Sequence, residues 1–207
     1  MFNGLRSFTP PAAEAWAAHL RWIKLHGALG VWALGEVAGS PQFTHISYDD
    51  FRVFRHDIGG GNHVTTGRQV PFCMFTDPEF TRIGLSETEA KRQGIPYRLF
   101  KIPMEEVFRA RTLSETRGFL KALVEVDGDR ILGFAGFAVD AGDIMDSVQI
   151  AMIAGLPYTA LREAILTHPT LIEGLNFLFA TIPSAPNQSI RLADQQQQRD
   201  RPKRKLA

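Results

Sequence analysis

The chain has 207 residues, of which 44% are hydrophobic and 22% charged, the composition of an ordinary globular protein of one or two domains. Its net charge of +1 gives no overall field that would attract nucleic acid, and its single cysteine, Cys73, excludes a thiol pair within these residues. No apolar run approaches the ~18 to 20 residues of a membrane span, and the amino terminus lacks the order of a secretory signal. We therefore expect a cytoplasmic protein with neither nucleic-acid nor membrane partners.

Two segments precede the main part of the chain. Residues 1–29 contain Pro10-Pro11 followed by apolar residues at helical spacing, which predicts a leader helix of unclear origin. Residues 30–69 begin with a glycine-bounded apolar stretch and continue into a helix predicted from about residue 41 to 55.

Residues 70–183 are predicted to form one compact module in the order β-α-β-β-β-α-α-α. The predicted strands span residues 70–75, 97–102, 119–126 and 131–139, and the predicted helices span 86–94, 143–154, 159–166 and 171–182. Ser86 and Glu89 match a capping box, and Asp127-Gly128 is a strong hairpin signal. This pattern indicates an α+β fold, an antiparallel sheet with helices on one face.

Residues 184–207 carry a glutamine run and a basic end with almost no apolar side chains, so we predict a disordered tail. The few cations of this tail are weak support for nucleic-acid binding.

The segment His168-Pro169-Thr170-Leu171-Ile172-Glu173 has two interpretations. A carboxylate five residues after a histidine near a helix start can accept a hydrogen bond from the imidazole, which makes His168 and Glu173 a candidate catalytic acid–base pair. Alternatively, Thr170 and Glu173 form a capping box that only satisfies backbone N–H groups. The residues alone leave both interpretations open.

Several segments, in the same order along the chain, resemble the dimerisation domain of the pyridine nucleotide-disulfide oxidoreductases. These are the class I flavoprotein disulfide reductases, which include mercuric reductase and lipoamide dehydrogenase. The segments are Val70-Pro71, Phe75-Thr76-Asp77-Pro78, Gly84-Leu85-Ser86-Glu87, Arg109-Ala110, Gly118-Phe119-Leu120-Lys121, Ile131-Leu132-Gly133 and His168-Pro169-Thr170-x-x-Glu173. The resemblance implies a homodimer, or pairing with a full-length family member, and a role in cell redox homeostasis. It also implies that His168 and Glu173 reach into the partner's active site, where the histidine accepts a proton and the carboxylate holds the ring.

Upstream, Trp32-Ala33-Leu34-Gly35-Glu36-Val37 resembles the segment that closes the FAD-binding domain of this family. Residues 30–69 would then be the C-terminal remnant of that domain. The resemblance implies that Gly35, Glu36 and Thr44 are cofactor-binding residues. Glu36, where the family usually has Asp, would hold a ribityl hydroxyl of FAD. Thr44 would present a helix-start N–H to the flavin, because a helix N-terminus favours negative charge.

Other family motifs are absent from the sequence. It contains neither the Gly-x-Gly-x-x-Gly turns for FAD and NAD(P)H nor the redox cysteine pair of full-length members. Two functions remain: the C-terminal part of an FAD-dependent oxidoreductase, or a non-catalytic homodimerising or heterodimerising module without flavin or turnover. We expect the chain alone to be inactive and predict no metal site.

Overall fold

The computed structural model describes residues 23–24 and 32–184. The chain divides into two compact units, Met1–Arg68 and Gln69–Ala207, called the N-terminal and C-terminal units below. Most of the predicted leader, residues 1–29, and nearly all of the predicted tail, residues 184–207, lie outside the described residues.

In the described residues of the N-terminal unit, 23–24 and 32–68, there are one small sheet and one long helix. Strand β1 (Ile23–Lys24) pairs antiparallel with β2 (Trp32–Ala33), which leads into a 3-10 helix at Gly35–Ala38. Helix α1 (Thr44–Ile58) begins and ends three residues later than the sequence predicts. Its buried residues, Ile46, Asp50 and Val53, follow the i, i+4, i+7 spacing of a single helical stripe.

The C-terminal unit is built on a five-stranded antiparallel sheet. Its strands are β3 (Phe72–Met74), β4 (Glu79–Gly84), β5 (Tyr97–Pro103), β6 (Phe119–Glu125) and β7 (Ile131–Ala138), in the spatial order β3-β4-β7-β6-β5. The predicted hairpin is confirmed, since β6 and β7 pair antiparallel around the Asp127-Gly128 turn. Strand β7 is buried along nearly its whole length, as its continuous apolar sequence predicts.

Three elements of this unit, one of them the 3-10 helix Met104–Glu106, were missed by the sequence prediction. Strand β4 lies between β3 and β7, and its buried face carries Thr81 beside Ile83. A buried threonine breaks the apolar alternation that identifies a strand, and here its hydroxyl donates to the carbonyl of Phe72 at 2.9 Å. The second missed element is a five-residue helix, α3 (Phe108–Thr112), too short to show a helical period. The prediction of four strands and four helices in the module was therefore wrong.

The helices place the main core on one face of the sheet. Helices α4 (Ala141–Ile153) and α6 (Gly174–Ala180) pack there, and α5 (Tyr158–Glu163) packs against α6. Their buried residues share one cluster with Leu120, Ala122 and Val124, the alternate residues of β6. The predicted α+β class is thus confirmed.

A second, smaller cluster forms around the remaining helix, α2 (Glu87–Arg92). Its Ala90 packs with Tyr97, Leu123 and Leu132, and Leu123 lies between the main-core residues Ala122 and Val124 on its strand. Because neighbouring strand residues point to opposite faces, part of the second face is covered as well.

The predicted capping box at the start of α2 is confirmed. The Ser86 hydroxyl accepts from the Glu89 N–H at 3.2 Å, and the Glu89 carboxylate accepts from the Ser86 N–H at 2.8 Å. The Ser86 backbone N–H, with help from Arg82 at 2.8 Å, lowers the pKa of Glu89 to about 2.

Candidate functional site

The loop between α5 and α6 is held at both ends by side-chain hydrogen bonds. Asn176 in α6 donates from its amide nitrogen to the carbonyl oxygens of Leu161 at 2.7 Å and Ala164 at 3.1 Å. The Thr170 hydroxyl donates to the carbonyl of Thr167 at 2.8 Å and accepts from the Glu173 N–H at 3.3 Å. The loop therefore has a defined shape, although the side chains of Thr167, His168 and Pro169 at its tip are exposed.

His168 and Glu173 are brought together at this loop. The Nδ1 atom of His168 lies 2.9 Å from each carboxylate oxygen of Glu173. The His168 side chain is 58% exposed, whereas that of Glu173 is only 14% exposed. An ionised carboxylate can only accept, so Nδ1 carries the proton and Nε2 is left as the acceptor of the neutral ring.

The capping-box and acid–base interpretations of this segment involve different contacts of Thr170 and Glu173. Thr170 caps the Glu173 N–H, which is one half of a capping box. The carboxylate of Glu173 contacts His168, and α6 begins only at Gly174, later than the predicted Leu171. No side chain caps α6 itself, so the structure shows a His–Glu pair beside a Thr170 hydrogen bond in the turn before the helix.

Aromatic side chains border the imidazole. The Phe108 ring, at the start of α3, lies 5.3 Å from the His168 ring at an interplanar angle of 73°. Phe177 lies 6.1 Å from Phe108, and the Arg111 guanidinium lies 4.4 Å from the centre of the Phe108 ring. This contact was not predictable from the sequence, because Phe108 and His168 are distant in the chain.

The three predicted cofactor-binding residues lie in the N-terminal unit. Gly35 is buried with a φ of +71°, and an added Cβ would lie 2.8 Å from Ser47 Oγ, so only glycine fits. Glu36 is exposed in the 3-10 helix, and Thr44 is the exposed first residue of the 15-residue helix α1. An exposed carboxylate can accept a hydrogen bond from a hydroxyl, and a helix start favours negative charge. The chemistry of Glu36 therefore fits the ribityl part of FAD, and that of the helix start at Thr44 fits the pyrimidine part.

A buried carboxylate that the sequence prediction missed fixes the Gly35 turn. Asp50 is 3% exposed and accepts from the Gly35 N–H at 2.8 Å, the Ser40 hydroxyl at 2.7 Å and Arg68 Nη1 at 2.6 Å. Arg68 also donates to Asp49 at 2.9 Å. A signal was present in the sequence, because Asp50 occupies the apolar stripe of α1, where a carboxylate requires buried partners.

Cys73, the single cysteine, is half-buried in β3. Burial, and next the neighbouring carboxylate of Glu79, raise the pKa of the Cys73 thiol. The thiolate is the nucleophilic form, so Cys73 is a poor nucleophile at neutral pH.

Two structural searches concern other kinds of site. Within residues 23–24 and 32–184, no three His, Cys, Asp or Glu side chains gather closely enough to hold a metal ion. Across the same described part of the chain, no helix is long and apolar enough to span a bilayer.

Comparison with known proteins identifies the family of the C-terminal unit. The family model "Pyridine nucleotide-disulphide oxidoreductase, dimerisation domain" matches residues 70–177, more than half of the chain. The chain belongs to this family. Its members are FAD-dependent flavoproteins that use NAD(P)H.

The similar family members cover most of this chain. The protein named "Probable pyridine nucleotide-disulfide oxidoreductase RclA", from Escherichia coli (strain K12), is 40% identical over 154 residues, 73% of this chain and 35% of the relative. The mercuric reductase of Bacillus cereus is 31% identical over 152 residues, 73% of this chain and 24% of the relative. The chain therefore spans about a quarter to a third of the length of these relatives.

Solved structures give the same result. The HOCl-induced flavoprotein disulfide reductase RclA from Escherichia coli matches with a TM-score of 0.70 at 40% identity, over 73% of this chain and 35% of that one. LpdA from Mycobacterium tuberculosis matches with a TM-score of 0.66 at 19% identity, over 73% of this chain and 33% of that one, which shows a shared fold.

Proposed function

We propose that this chain is the C-terminal part of an FAD-dependent pyridine nucleotide-disulfide oxidoreductase. In this proposal the C-terminal unit forms the dimer interface and supplies His168 and Glu173 to the active site of the partner. The observation that carries the proposal is the pairing of His168 Nδ1 with both oxygens of Glu173 at 2.9 Å. The carboxylate is largely buried and the imidazole largely exposed, which suits a base that serves a group outside its own unit.

The proton transfer follows from the geometry of the pair. Nε2 of His168 takes the proton from a thiol S–H, leaving the sulfur as a thiolate, and Glu173 stabilises the resulting imidazolium. In the reverse direction Nε2 returns that proton. A positioned general base of this kind contributes typically ~10² to 10⁴-fold in rate.

In the same proposal, FAD supplies the electron acceptor when it is bound. Gly35 would let the backbone turn approach the cofactor closely, Glu36 would accept a hydrogen bond from a ribityl hydroxyl, and Thr44 would present the start of α1 to the pyrimidine ring. The cytoplasmic location and the role in redox homeostasis stay predictions.

A complementation experiment tests the acid–base role. The full-length Escherichia coli relative is purified with the residue that aligns with His168 replaced by alanine, and it is combined with this chain to form a mixed dimer. We expect the mixed dimer to regain the long-wavelength absorbance of a thiolate beside flavin after reduction by NAD(P)H. A mixed dimer with the His168→Gln variant should stay without it.

The control is the Thr170→Val variant, which removes the cap hydroxyl but leaves both members of the pair. We expect it to behave as the unmodified chain once assembled. If a mixed dimer forms and shows the same spectrum with His168 as with His168→Gln, His168 is not the base.

Self-association is expected to depend on the outer face of α4. Ile150 and Ile153 are 68% and 69% exposed there, although Ile144, Met145 and Val148 already fill the core. Exposed apolar residues beside a filled core indicate an interface. We expect Ile150→Lys to weaken dimerisation by at least about tenfold, the effect of ~1.4 kcal/mol, in sedimentation equilibrium.

The matched control for this variant is Ile58→Lys, which changes an isoleucine of the N-terminal unit that is 60% exposed at the end of α1. It should leave the dimer intact. A monomer at tens of micromolar for the unmodified chain, or equal weakening by both variants, would contradict an interface on α4.

Flavin titration separates the enzyme fragment from the non-catalytic module. The candidate residues are proposed to contact only the ribityl and pyrimidine parts of FAD, and the sequence has no Gly-x-Gly-x-x-Gly turn for the pyrophosphate. We therefore expect weak binding, with FAD and riboflavin bound equally within a few-fold by isothermal titration. Glu36→Ala should abolish that weak binding. Sub-micromolar FAD affinity would contradict this expectation, and no flavin binding at all would favour the non-catalytic module.

A further inference from the structure

We infer that Phe108 is a positioning residue that holds the His168 imidazole in the orientation required for proton transfer. This inference rests on the proposed acid–base role of His168 and adds a residue to that site. Phe108 does not touch a reacting atom; it acts through the imidazole.

The contact has the geometry of a favourable aromatic pair. The ring centres of Phe108 and His168 are 5.3 Å apart, and their planes meet at 73°. Aromatic pairs favour edge-to-face arrangements with ring centres about 4.5 to 7 Å apart. The phenyl ring itself is fixed, because Arg111 covers it at 4.4 Å and Phe177 lies 6.1 Å away.

The hydrogen bond to Glu173 does not fix the imidazole by itself. It holds one atom, Nδ1, between two oxygens at equal distance, and it leaves the ring plane free to turn. The side chain of His168 is 58% exposed, so packing gives it few other constraints. The Phe108 ring supplies a second point of contact, and two points together determine the direction of Nε2.

The fold does not need Phe108 to hold α3 in place. Helix α3 is anchored by Val107 and Ala110, both 0% exposed in the main core, whereas Phe108 is 42% exposed. Gly174, next to Glu173, lets α6 approach this anchor closely, since an added Cβ would lie 2.9 Å from Val107 Cγ2. Phe108 therefore lies outside the buried residues that anchor α3, and its partly exposed ring contacts His168, Phe177 and Arg111.

The test compares Phe108→Leu, which removes the ring but keeps an apolar side chain, with Phe108→Tyr, which keeps the ring. The full chain is labelled with ¹⁵N-histidine. The ¹⁵N shifts and side-chain couplings of His168 then give the population of the conformer in which Nδ1–H bonds Glu173. The Glu173→Ala variant provides the reference for an unbonded ring.

We expect Phe108→Leu to lower the ratio of bonded to unbonded His168 conformers by about two- to tenfold, the range that corresponds to an aromatic pair. Phe108→Tyr should keep the ratio of the unmodified chain, and the thermal unfolding of all three proteins should coincide. An unchanged His168 spectrum in Phe108→Leu, or equal changes in the Leu and Tyr variants, would overturn the inference. These spectra report ring orientation without turnover, so the complementation result with His168→Gln can fail or succeed independently.

Discussion

Replacing Gly133 by alanine is expected to destabilise the C-terminal unit by about 3 kcal/mol, the upper range for overpacking. An added Cβ would lie 2.1 Å from the Leu85 carbonyl oxygen and 2.7 Å from the Leu85 nitrogen. These are backbone atoms at the end of β4, and the Leu85 N–H donates to the Leu132 carbonyl at 2.9 Å. The clash can be relieved only by opening that junction, since no side chain is available to move aside.

Gly136→Ala is the matched control in the same strand. Its Cβ would lie 3.1 Å from Thr81 Cγ2 and 3.3 Å from Ala141 Cβ, which are side-chain atoms. We expect a cost below about 1 kcal/mol, because the loss of unfolded-state freedom offsets the tighter contact. Urea unfolding followed by circular dichroism compares the two midpoints. Equal midpoints would show that the approach at Gly133 is not rigid.

Patterns within a single element were predictable from the sequence. The alternation in β6 and the apolar run of β7 gave both strands with nearly correct ends, because burial on a sheet face imposes a period of two. Strand β4 was not predicted because its buried face carries Thr81, a polar residue whose hydroxyl is satisfied by a hydrogen bond to the neighbouring strand. That hydrogen bond forms only after the strands pair, so no pattern in the local sequence predicts it.

The candidate acid–base site shows the same division. The spacing of His168 and Glu173 predicted their contact only as one of two interpretations, since five residues around a helix start span a short distance but also suit a capping box. Whether Glu173 would cap the helix was not predictable, because the answer depends on α6 beginning at Gly174. Phe108 is sixty residues from His168 in number, and only the packing of α3 beside α6 brings the two rings together.

Asp50 is the strongest example of a contact set by the fold. Its partners, Gly35, Ser40 and Arg68, are between 10 and 18 residues away and share no motif with it. The carboxylate lies on the buried stripe of α1, so its desolvation is offset only by these hydrogen bonds. The structure therefore makes the Gly35 turn, where the proposed cofactor contacts begin, depend on one side chain of α1.

Asp50→Asn should consequently destabilise the N-terminal unit by about 3 kcal/mol. This is the low end of the cost of breaking a buried ion pair, because Arg68 retains its ion pair with Asp49. Asparagine has about the same shape, but its amide N–H₂ would face the Arg68 guanidinium, donor against donor, if its oxygen keeps the Gly35 N–H. Hydrogen exchange of the full chain, read in peptides covering residues 32–58, should accelerate by about a hundredfold. The exchange of the C-terminal unit should stay unchanged.

The neighbouring carboxylate provides the control for this experiment. Asp49 also pairs with Arg68, at 2.9 Å, but its side chain is 30% exposed. The Gly35 N–H donates to Asp50 and not to Asp49. More exposed pairs contribute at most about 1 kcal/mol, so Asp49→Asn should accelerate exchange by less than about fivefold. If the two variants accelerate exchange equally, the Arg68 ion pairs account for the effect and the Gly35 bond does not. If only Asp50→Asn does so, the buried carboxylate fixes the turn that carries Glu36.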